Sequence, residues 1–197
     1  MAINCDELLT GAISKNCDEK PQAGIEVDVV IINYDDIDFA NTTFDGTNDL
    51  LITNLATNSG TTGYFIEGIK QTQGASFELV KKEESFDGYK HKFEGVILDP
   101  SLENKQRLSE ISAGGRFVVV VEKKWKGVDD EDAFEVLCWN AGMEIETVIW
   151  NSKEADGIIK FSLASVDGFE ETKMTYNLLE TDYATTKIAF DGFFATA

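Results

Sequence analysis

Turn dipeptides divide this chain into short segments, and that division constrains the fold more than any other feature. Asp-Gly is favoured where a tight turn needs a positive φ angle, so we interpret its five occurrences as hairpin turns. They are Asp45-Gly46, Asp87-Gly88, Asp156-Gly157, Asp167-Gly168 and Asp191-Gly192. The segments between them are rich in β-branched and aromatic residues, which favour strands. Eight strands are predicted, at residues 25–33, 63–70, 75–82, 89–98, 116–125, 133–140, 143–150 and 158–166.

Two of these segments indicate how they are buried. From Tyr89 onwards, apolar residues alternate with lysines and a glutamate, which is typical of an antiparallel strand with one face on the core. His91, the only histidine, lies on the apolar face of that strand, and we expect a hydrogen-bonded core or interface residue. Residues 117–121 are apolar on both faces, so their strand is predicted to be central and covered on each side.

A long hairpin is predicted around an acidic segment. Residues 116–125 and 133–140 flank residues 126–132, and the simplest topology pairs the two strands. The candidate inter-subunit tip of this hairpin carries four carboxylates in a row, Asp129, Asp130, Glu131 and Asp132. Neither this run nor the acidic run at 35–38 has the ligand spacing of a calcium loop, so both are interpreted as solvated charge runs.

One helix is predicted, at residues 101–113. Asp99 is its expected cap, Pro100 suits the first helical position, and Gly114-Gly115 ends the helix. Its apolar stripe is expected to consist of Leu102, Leu108 and Ile111. A short helix in a strand-rich chain indicates packing of that helix on a sheet.

These elements predict an α+β fold that is mainly β: an antiparallel β-sandwich or partial barrel with one flanking helix and the long hairpin. The length of 197 residues and a hydrophobic content of 43% suffice for a core. Residues 1–24 are interpreted as an N-terminal arm, and residues 25–197 as a single β-rich domain.

The charge of the chain excludes several classes of function. It has 36 Asp and Glu residues against 17 Lys and Arg residues, a formal net charge of −19. Such a surface repels phosphate, which disfavours gripping nucleic acid or an anionic membrane. It suits a surface along which nucleic acid moves without sticking, or it serves solubility alone. With no secretion signal and no stretch of ~18 apolar residues, a cytosolic protein without membrane contact is expected.

Residues that commonly carry chemistry are sparse. Cys5 and Cys17 lie in a repeated Asn-Cys-Asp-Glu, but the further Cys or His ligands of a zinc site are missing, and an arm that orders on assembly is expected. Cys138 makes the number of cysteines odd, which favours reduced thiols. No phosphate-binding glycine loop or nucleophile elbow occurs. We therefore predict no catalytic residues, no cofactor and no metal.

The three tryptophans, Trp125, Trp139 and Trp150, fall at or near predicted strand ends. They are candidate interface aromatics, because indole side chains anchor many protein interfaces. A sugar-stacking platform and simple core packing are the alternatives.

Four stretches of the chain carry a resemblance to a known family. They are NYDDIDF at 33–39, SAGGRFVV at 112–119, FEVLCWNAGM at 134–143 and WNS at 150–152. These stretches resemble virion structural proteins of tailed phages that infect gut Bacteroidetes, and within that group the tail tube type. The likeness extends over most of the chain, although no single motif is diagnostic.

The resemblance implies a homo-oligomer in which rings stack into a tube and sheets of neighbouring copies join around a lumen. A hexameric ring is one option, and other virion proteins are implied partners. Residues 116–140 and 1–24 are the implied links between subunits or rings. DNA would pass an acidic lining without specific binding, and the protein would be assembled in the host cytoplasm and located in the virion.

Other functions remain open from the sequence. Acidity is strongest in the first third of the chain, which keeps a head-to-tail joining protein or a capsid-associated protein as an alternative. A carbohydrate-binding or host-surface-binding module that uses the tryptophans is a further alternative. A hydrolase with two carboxylates is least favoured, because 36 acidic residues guarantee some close pair by chance.

Overall fold

The computed structural model describes residues 9, 11–13, 20–84, 86–153 and 157–195, which form eleven strands and two α-helices. The strands are β1 (Ile25–Asn33), β2 (Thr43–Phe44), β3 (Leu51–Asn54), β4 (Tyr64–Glu67), β5 (Gly74–Val80), β6 (Gly88–Ile97), β7 (Phe117–Lys123), β8 (Phe134–Leu137), β9 (Met143–Trp150), β10 (Ile159–Ser165) and β11 (Tyr176–Leu178). The helices are α1 (Leu102–Ile111), between β6 and β7, and α2 (Tyr183–Asp191), after β11.

The α+β, mainly β class is confirmed, and each of the eight predicted strands overlaps a strand of the structure. Three short strands and α2 are additional, so two helices accompany the sheet instead of one. The strands join in the order β2-β3-β11-β8-β7-β9-β10-β6-β5, with β1 beside β7 and β4 beside β1. The pairings are antiparallel except that of β11 with β3, which is parallel.

The antiparallel pair of β1 and β7 forms the centre of the structure. Val30 lies opposite Val120 and Ile31 opposite Val119, and residues 118–121 are completely buried. Because side chains alternate along a strand, the two pairs point into different core clusters. The prediction of a central strand covered on both sides is therefore confirmed.

Each face of the central pair is covered by a different set of elements. On the side of Val30, the first core cluster contains apolar residues of β3, β8, β11 and α2, with Phe134 and Phe190 as its largest fully buried members. On the side of Ile31, the second core cluster contains Phe93 of β6 and Phe161 of β10, together with a residue of α1. The second cluster thus places β5, β6, β10 and β9, here called the four-stranded sheet, across from β1 and β7.

The hairpin of β7 and β8 is present, with four residue pairs between Val119–Leu137 and Glu122–Phe134. Its connecting segment folds back on itself, because the Asp132 N–H donates to the Lys126 carbonyl at 2.8 Å. Asn177 of β11 also donates its side-chain amide to the Asp132 carboxylate at 2.7 Å. The acidic tip is therefore held against the neighbouring strand.

The ends of the helices differ from their prediction. Ser101, and not Asp99, caps α1, because its hydroxyl accepts the Asn104 N–H and leaves Pro100 outside the helix. Leu102 is 85% exposed, so the apolar stripe of α1 is reduced to Leu108 and Ile111, which pack against the second core cluster.

The Asp-Gly pairs were predicted to form hairpin turns, and this is wrong for two of the five. Asp191-Gly192 ends α2, where Gly192 N–H donates to the Ile188 carbonyl. Asp167-Gly168 lies between β10 and β11, which do not pair with each other. The other three, at 45–46, 87–88 and 156–157, lie where two paired neighbouring strands connect, with Gly88 as the first residue of β6. Asp156 itself is outside the described residues.

Most of the predicted arm, residues 1–24, lies outside the described residues, as do Cys5 and Cys17. Residues 20–23 are exposed and precede β1. The Gly24 carbonyl accepts the Lys124 N–H at 3.1 Å, which ties the start of β1 to the end of β7.

Gly142 ends the segment between β8 and β9 and needs both its positive φ of 75° and its missing side chain. A Cβ there would lie 2.9 Å from the Arg116 Cβ and 3.1 Å from the Tyr34 ring. Gly142→Ala is expected to lower the free energy of unfolding in urea by more than ~2 kcal/mol, from backbone strain plus overlap. Gly60→Ala is the matched control, because φ is 80° but space is open, and should cost about 1 kcal/mol. Equal losses would contradict the proposed overlap.

Candidate assembly interface

The four-stranded sheet has two open edges. β5 pairs with β6 alone. β9 pairs with β10 along its length but meets β7 only where Met143 lies opposite Phe117. Within the described part of the chain, no other strand pairs with either edge. Residues 74–80 and 144–150 therefore present backbone groups along which another strand could add.

Both edges also expose apolar side chains. On β9, Val148, Ile149 and Trp150 are 46%, 58% and 59% exposed. On β5, Phe77 and Leu79 are 42% and 49% exposed. Soluble monomers usually blunt an edge strand with charge, proline or a bulge. Here the charges of Glu78 and Glu144 lie on the opposite face, and the bulge of β9 lies at Glu146, away from the exposed Val148 and Trp150. An exposed apolar edge of this kind favours contact with another chain.

Four of the five exposed apolar side chains share one face of the sheet, because residues opposite each other in an antiparallel pair point the same way. The exception is Ile149, which lies opposite Lys160 and points to the other face. The pairs are Phe77 with His91, Leu79 with Tyr89, Val148 with Phe161, and Trp150 with Ile159. Since His91, Phe161 and Ile159 are buried, this is the core-facing side of the sheet. A strand β5 laid beside β9 of another copy would place Phe77 and Leu79 next to Val148 and Trp150.

The opposite face of the four-stranded sheet is mainly polar. By the same pairing, it carries Glu78, Lys90, Lys92, Glu94, Glu144 and Lys160, together with the exposed Ile149. Lys90 Nζ lies 3.6 Å from the Glu146 carboxylate and 3.4 Å from that of Asp167. Lys92 Nζ lies 3.3 Å from Glu146 and 3.2 Å from Glu94. Each of these two lysines is therefore neutralised by two carboxylates.

Glu146 reaches both lysines because β9 contains a bulge. Thr147 lies opposite Ser162 and Ile145 opposite Leu163, so Glu146 is the extra residue between them. The Ser162 hydroxyl donates to its carboxylate at 3.1 Å. The hydrogen bond to Asp167 raises the pKa of Lys90, as the one to Glu94 does for Lys92.

A groove of about 1020 Å³ lies between β4 and α1. Tyr64 and Ile66 of β4 form one wall and Leu108 of α1 the other, above Phe117 and Phe161 of the second core cluster. In the described residues β4 pairs with β1 alone, so it is a third strand with an open edge.

A buried polar cluster connects the four-stranded sheet to residues 138–142, here called the β8–β9 corner. The ring of His91 is completely buried, and its Nδ1 accepts the Cys138 N–H at 2.9 Å. The Cys138 thiol lies 3.0 Å from the Ser165 hydroxyl, which also accepts the backbone N–H of His91. His91 is therefore hydrogen-bonded within the core, one of the two environments expected from the sequence.

This cluster lacks the properties of a catalytic cysteine–histidine pair. Burial raises the pKa of the Cys138 thiol to about 12 and lowers the pKa of His91 to about 4, so both side chains are neutral near pH 7. The imidazole accepts a backbone N–H, and not the thiol proton. A neutral, buried thiol is a poor nucleophile, so the cluster is better suited to a structural role.

Glu171 completes the cluster. Its buried carboxylate accepts the backbone N–H groups of Asn140 and Ala141, at 3.0 and 2.9 Å, and the Asn140 side-chain amide at 2.6 Å. Burial raises the pKa of this carboxyl group although these donors act in the opposite direction. Glu171 therefore holds the β8–β9 corner against the start of β6, where its backbone pairs with Tyr89.

The three candidate interface aromatics occupy different environments. Trp139 is 5% exposed and belongs to the first core cluster, and its ring contacts those of Phe39, Phe44 and Tyr176. The fold uses this indole to fill its own core, which is the core-packing alternative that the sequence left open. Trp125 is half-buried beside Lys123. Trp150 stays exposed at the end of β9, although its Nε1–H already donates to the Gly157 carbonyl at 3.1 Å.

The acidic runs are used for local structure or remain in solvent. Asp129 and Asp130 of the tip are exposed with positive φ angles of 54° and 60°, and Glu131 is exposed. Asp38 caps the turn that follows it, and the hydrogen bonds from Asn41 lower its pKa. The described residues contain no group of three or more potential metal ligands, and neither helix among them could cross a membrane.

The prediction from sequence did not identify the open edges or Glu171. For β9 a signal exists, because Ile145, Val148, Ile149 and Trp150 fall on both faces of one strand. Such a strand is either central or exposed at an interface, and the alternation alone does not decide between them. Glu171 follows Glu170 in a polar segment, where nothing distinguishes a buried carboxylate from a solvated one.

Replacing Glu171 should loosen the β8–β9 corner. Glu171→Ala is expected to reduce the free energy of unfolding by about 2 kcal/mol, because the N–H groups of Asn140 and Ala141 lose their acceptor and a cavity remains. Glu110→Ala removes an exposed carboxylate paired with Arg107 and should cost less than about 0.5 kcal/mol. Urea unfolding of both variants tests this, and similar losses would argue against a structural role of Glu171.

Comparison with known proteins adds no relative to this description. No family model matches the chain, and no curated protein or solved structure matches it either. Its function must therefore be inferred from its own edges, faces and buried groups.

Proposed function

We propose that this chain is a self-assembling structural subunit whose copies join edge to edge through the four-stranded sheet. In this assembly, β5 of one copy adds to β9 of the next, and the sheet continues from copy to copy. The observation that carries the proposal is the pair of open edges that expose apolar side chains on one shared face, Phe77 and Leu79 on β5 and Val148 and Trp150 on β9. Pairing would satisfy the backbone groups of both edges and bury both sets of side chains.

The polar face of the joined sheet suits a surface past which DNA moves. With Glu146 and Asp167 counted, its carboxylates outnumber its lysines by five to three, and Lys90 and Lys92 each have two carboxylate partners. Phosphates gain affinity by pairing with free cations, and on this face the competing carboxylates are already in place. The net charge of −19 acts in the same direction at longer range.

The resemblance of the sequence to tail tube proteins of phages supports placing this assembly in a virion. A tube, in which rings stack, is the form that the resemblance favours. A joining ring or a capsid-associated protein could use the same edges, and the shape of the particle distinguishes them. We therefore propose a virion subunit that forms rings or a tube around an acidic conduit for DNA.

Charge on an open edge should prevent assembly without unfolding the subunit. The double variant Val148→Lys/Ile149→Lys replaces two exposed side chains of β9, and it is expected to remain monomeric in mass photometry while its urea midpoint changes little. The wild-type chain is expected to form rings or tubes, which negative-stain microscopy would show. Repulsion between like charges means that assembly should strengthen as salt rises.

Leu102→Lys is the matched control, because Leu102 is 85% exposed on α1 and lies on neither edge. It should assemble like the wild type. A wild-type chain that stays monomeric at high concentration across salt conditions would refute edge-to-edge assembly. A β9 variant that assembles normally would place the interface elsewhere.

Removing carboxylates from the polar face should make assembled particles retain DNA. Glu94→Gln/Glu146→Gln removes three of the four ion pairs of Lys90 and Lys92. Wild-type particles are expected to release duplex DNA in a co-sedimentation assay, whereas the variant retains it at low salt and releases it as salt rises. Glu103→Gln/Glu110→Gln on α1 changes the charge equally and should behave like the wild type. Equal retention by both double variants would argue against this face as the DNA-facing surface.

A further inference from the structure

The β8–β9 corner is held by two buried acceptors that can each take up a proton. Cys138 N–H donates to His91, while the N–H groups of Asn140 and Ala141 donate to Glu171. The backbone of Cys138 is itself in an unfavourable conformation, with φ at 55°. Such a conformation persists only when surrounding interactions hold it. The position of the corner therefore depends on the side chains that receive its N–H groups.

The geometry assigns a single tautomer to His91. Because Nδ1 accepts the Cys138 N–H, it carries no hydrogen, so the hydrogen of the neutral ring is on Nε2. Nε2 lies 3.3 Å from the Lys173 carbonyl, which is the acceptor that this tautomer requires. Adding a proton to Nδ1 would set an N–H against the Cys138 N–H. Protonation of Nδ1 is thus incompatible with the hydrogen bond that holds Cys138 in the observed corner.

We propose that His91 is a proton-sensitive latch that holds the β8–β9 corner in place and thereby sets the direction of β9. β9 starts directly after the corner, where Met143 lies opposite both Phe117 and Ser165. Release of Cys138 would free this starting point and misdirect the open edge of β9. The latch regulates the edge on which the proposed function rests, so mild acid should speed the loss of subunits from the assembly.

Other charged and titratable groups around His91 do not supply the same signal. Cys138 stays protonated, and the ammonium of Lys173 is bound by Asp49 at 2.7 Å, leaving only its carbonyl toward the ring. On β6 itself, Lys90 and Lys92 point to the opposite face. β5 contributes the uncharged ring of Phe77, and β10 the hydroxyl of Ser165.

Glu171 acts in the opposite direction. Burial raises its pKa, so protonation of this carboxyl group is more favourable in the folded protein than in the unfolded chain. For His91 the sign is reversed, because a ring whose pKa falls from 6.5 to about 4 in the closed state resists protonation there. The contribution of His91 to the closed corner is therefore complete above about pH 6.5 and is lost as the pH falls towards 4.

The expected size of the effect follows from the pKa of His91 in the two states, 6.5 for an exposed ring and about 4 in the closed corner. If the open corner exposes an ordinary histidine, the ratio of open to closed states rises roughly 30-fold between pH 7.5 and 5.0. Both pH values lie above the sequence pI of about 4.3, so the chain stays negatively charged throughout.

A direct test uses the fact that His91 is the only histidine of the chain. With ¹⁵N-labelled histidine, NMR of the full-length protein is expected to show one ring, with the hydrogen on Nε2 and no titration midpoint between pH 7.5 and 5.0. Hydrogen exchange of the amides at 138–142, corrected for the intrinsic effect of pH, should accelerate about 30-fold over this range. Amides of Val119 and Val120 provide the internal reference and should stay protected.

His91→Asn provides the non-titrating comparison, because the amide oxygen can accept the Cys138 N–H in place of Nδ1. In this variant the exchange of residues 138–142 should change less than about 3-fold between the two pH values. A wild-type midpoint near pH 6.5, a hydrogen on Nδ1, or the same acceleration in His91→Asn would each overturn the latch.

Sedimentation of the same samples separates the latch from the proposed function. Because the closed corner still predominates at pH 5.0, wild-type assemblies are expected to lose subunits after dilution up to about 30-fold faster at pH 5.0 than at pH 7.5, whereas those of His91→Asn change less than about 3-fold. Equal acceleration in both proteins would overturn the link between the corner and β9. If neither protein assembles at any pH, edge-to-edge assembly is refuted and the proposed control of assembly with it, while NMR and hydrogen exchange still decide whether His91 holds the corner.

Discussion

The pairing of β1 with β7 is the constraint on which the other elements depend. Both faces of this pair are buried. A backbone N–H or C=O group left unpaired along either strand would therefore have no water to bond to, so both strands need a neighbour on each side. β1 accordingly lies between β4 and β7, and β7 between β1 and β8. Each fully buried valine contributes roughly 1.5–3 kcal/mol, but only if a further layer covers it. The two core clusters, with α1 on one side and α2 on the other, supply these layers.

The elements that pack on the four-stranded sheet do not cover its whole core-facing side. The second core cluster buries the middle of the four-stranded sheet with Phe93, Phe161 and Leu163, while Phe77 and Trp150 remain at its margins. The margins are therefore apolar because they continue a core-facing surface, and exposed because nothing within the described chain reaches them. In a monomer these exposed apolar margins are unfavourable in water, whereas edge-to-edge assembly would bury them.

Local patterns predicted the long strands well, because a strand that crosses the core must show its burial in its own residues. β2 has only two residues and β11 only three, too few to show alternation, while the short β4 and β8 were predicted only as parts of longer segments, 63–70 and 133–140. α2 contains Thr185, Thr186 and Ile188, which lower helix propensity, although Asp182 and Gly192 mark its ends. His91 was foreseeable as a hydrogen-bonded residue, but its partners lie at Cys138 and Lys173, and topology alone brings them together. The role of Glu171 could not be predicted for the same reason, because its donors, Asn140 and Ala141, are distant in sequence.

The two open edges of the four-stranded sheet are different strands, and this has a consequence for symmetry. A joint between β5 and β9 is not self-complementary, so a pair of copies always leaves one unused edge of each kind. Growth ends only when the rotation between neighbours brings the last β9 back to the first β5. That rotation comes from the twist between adjacent strands. The number of copies in a closed ring would thus be determined by sheet twist, and a ring built this way has two faces that are not equivalent.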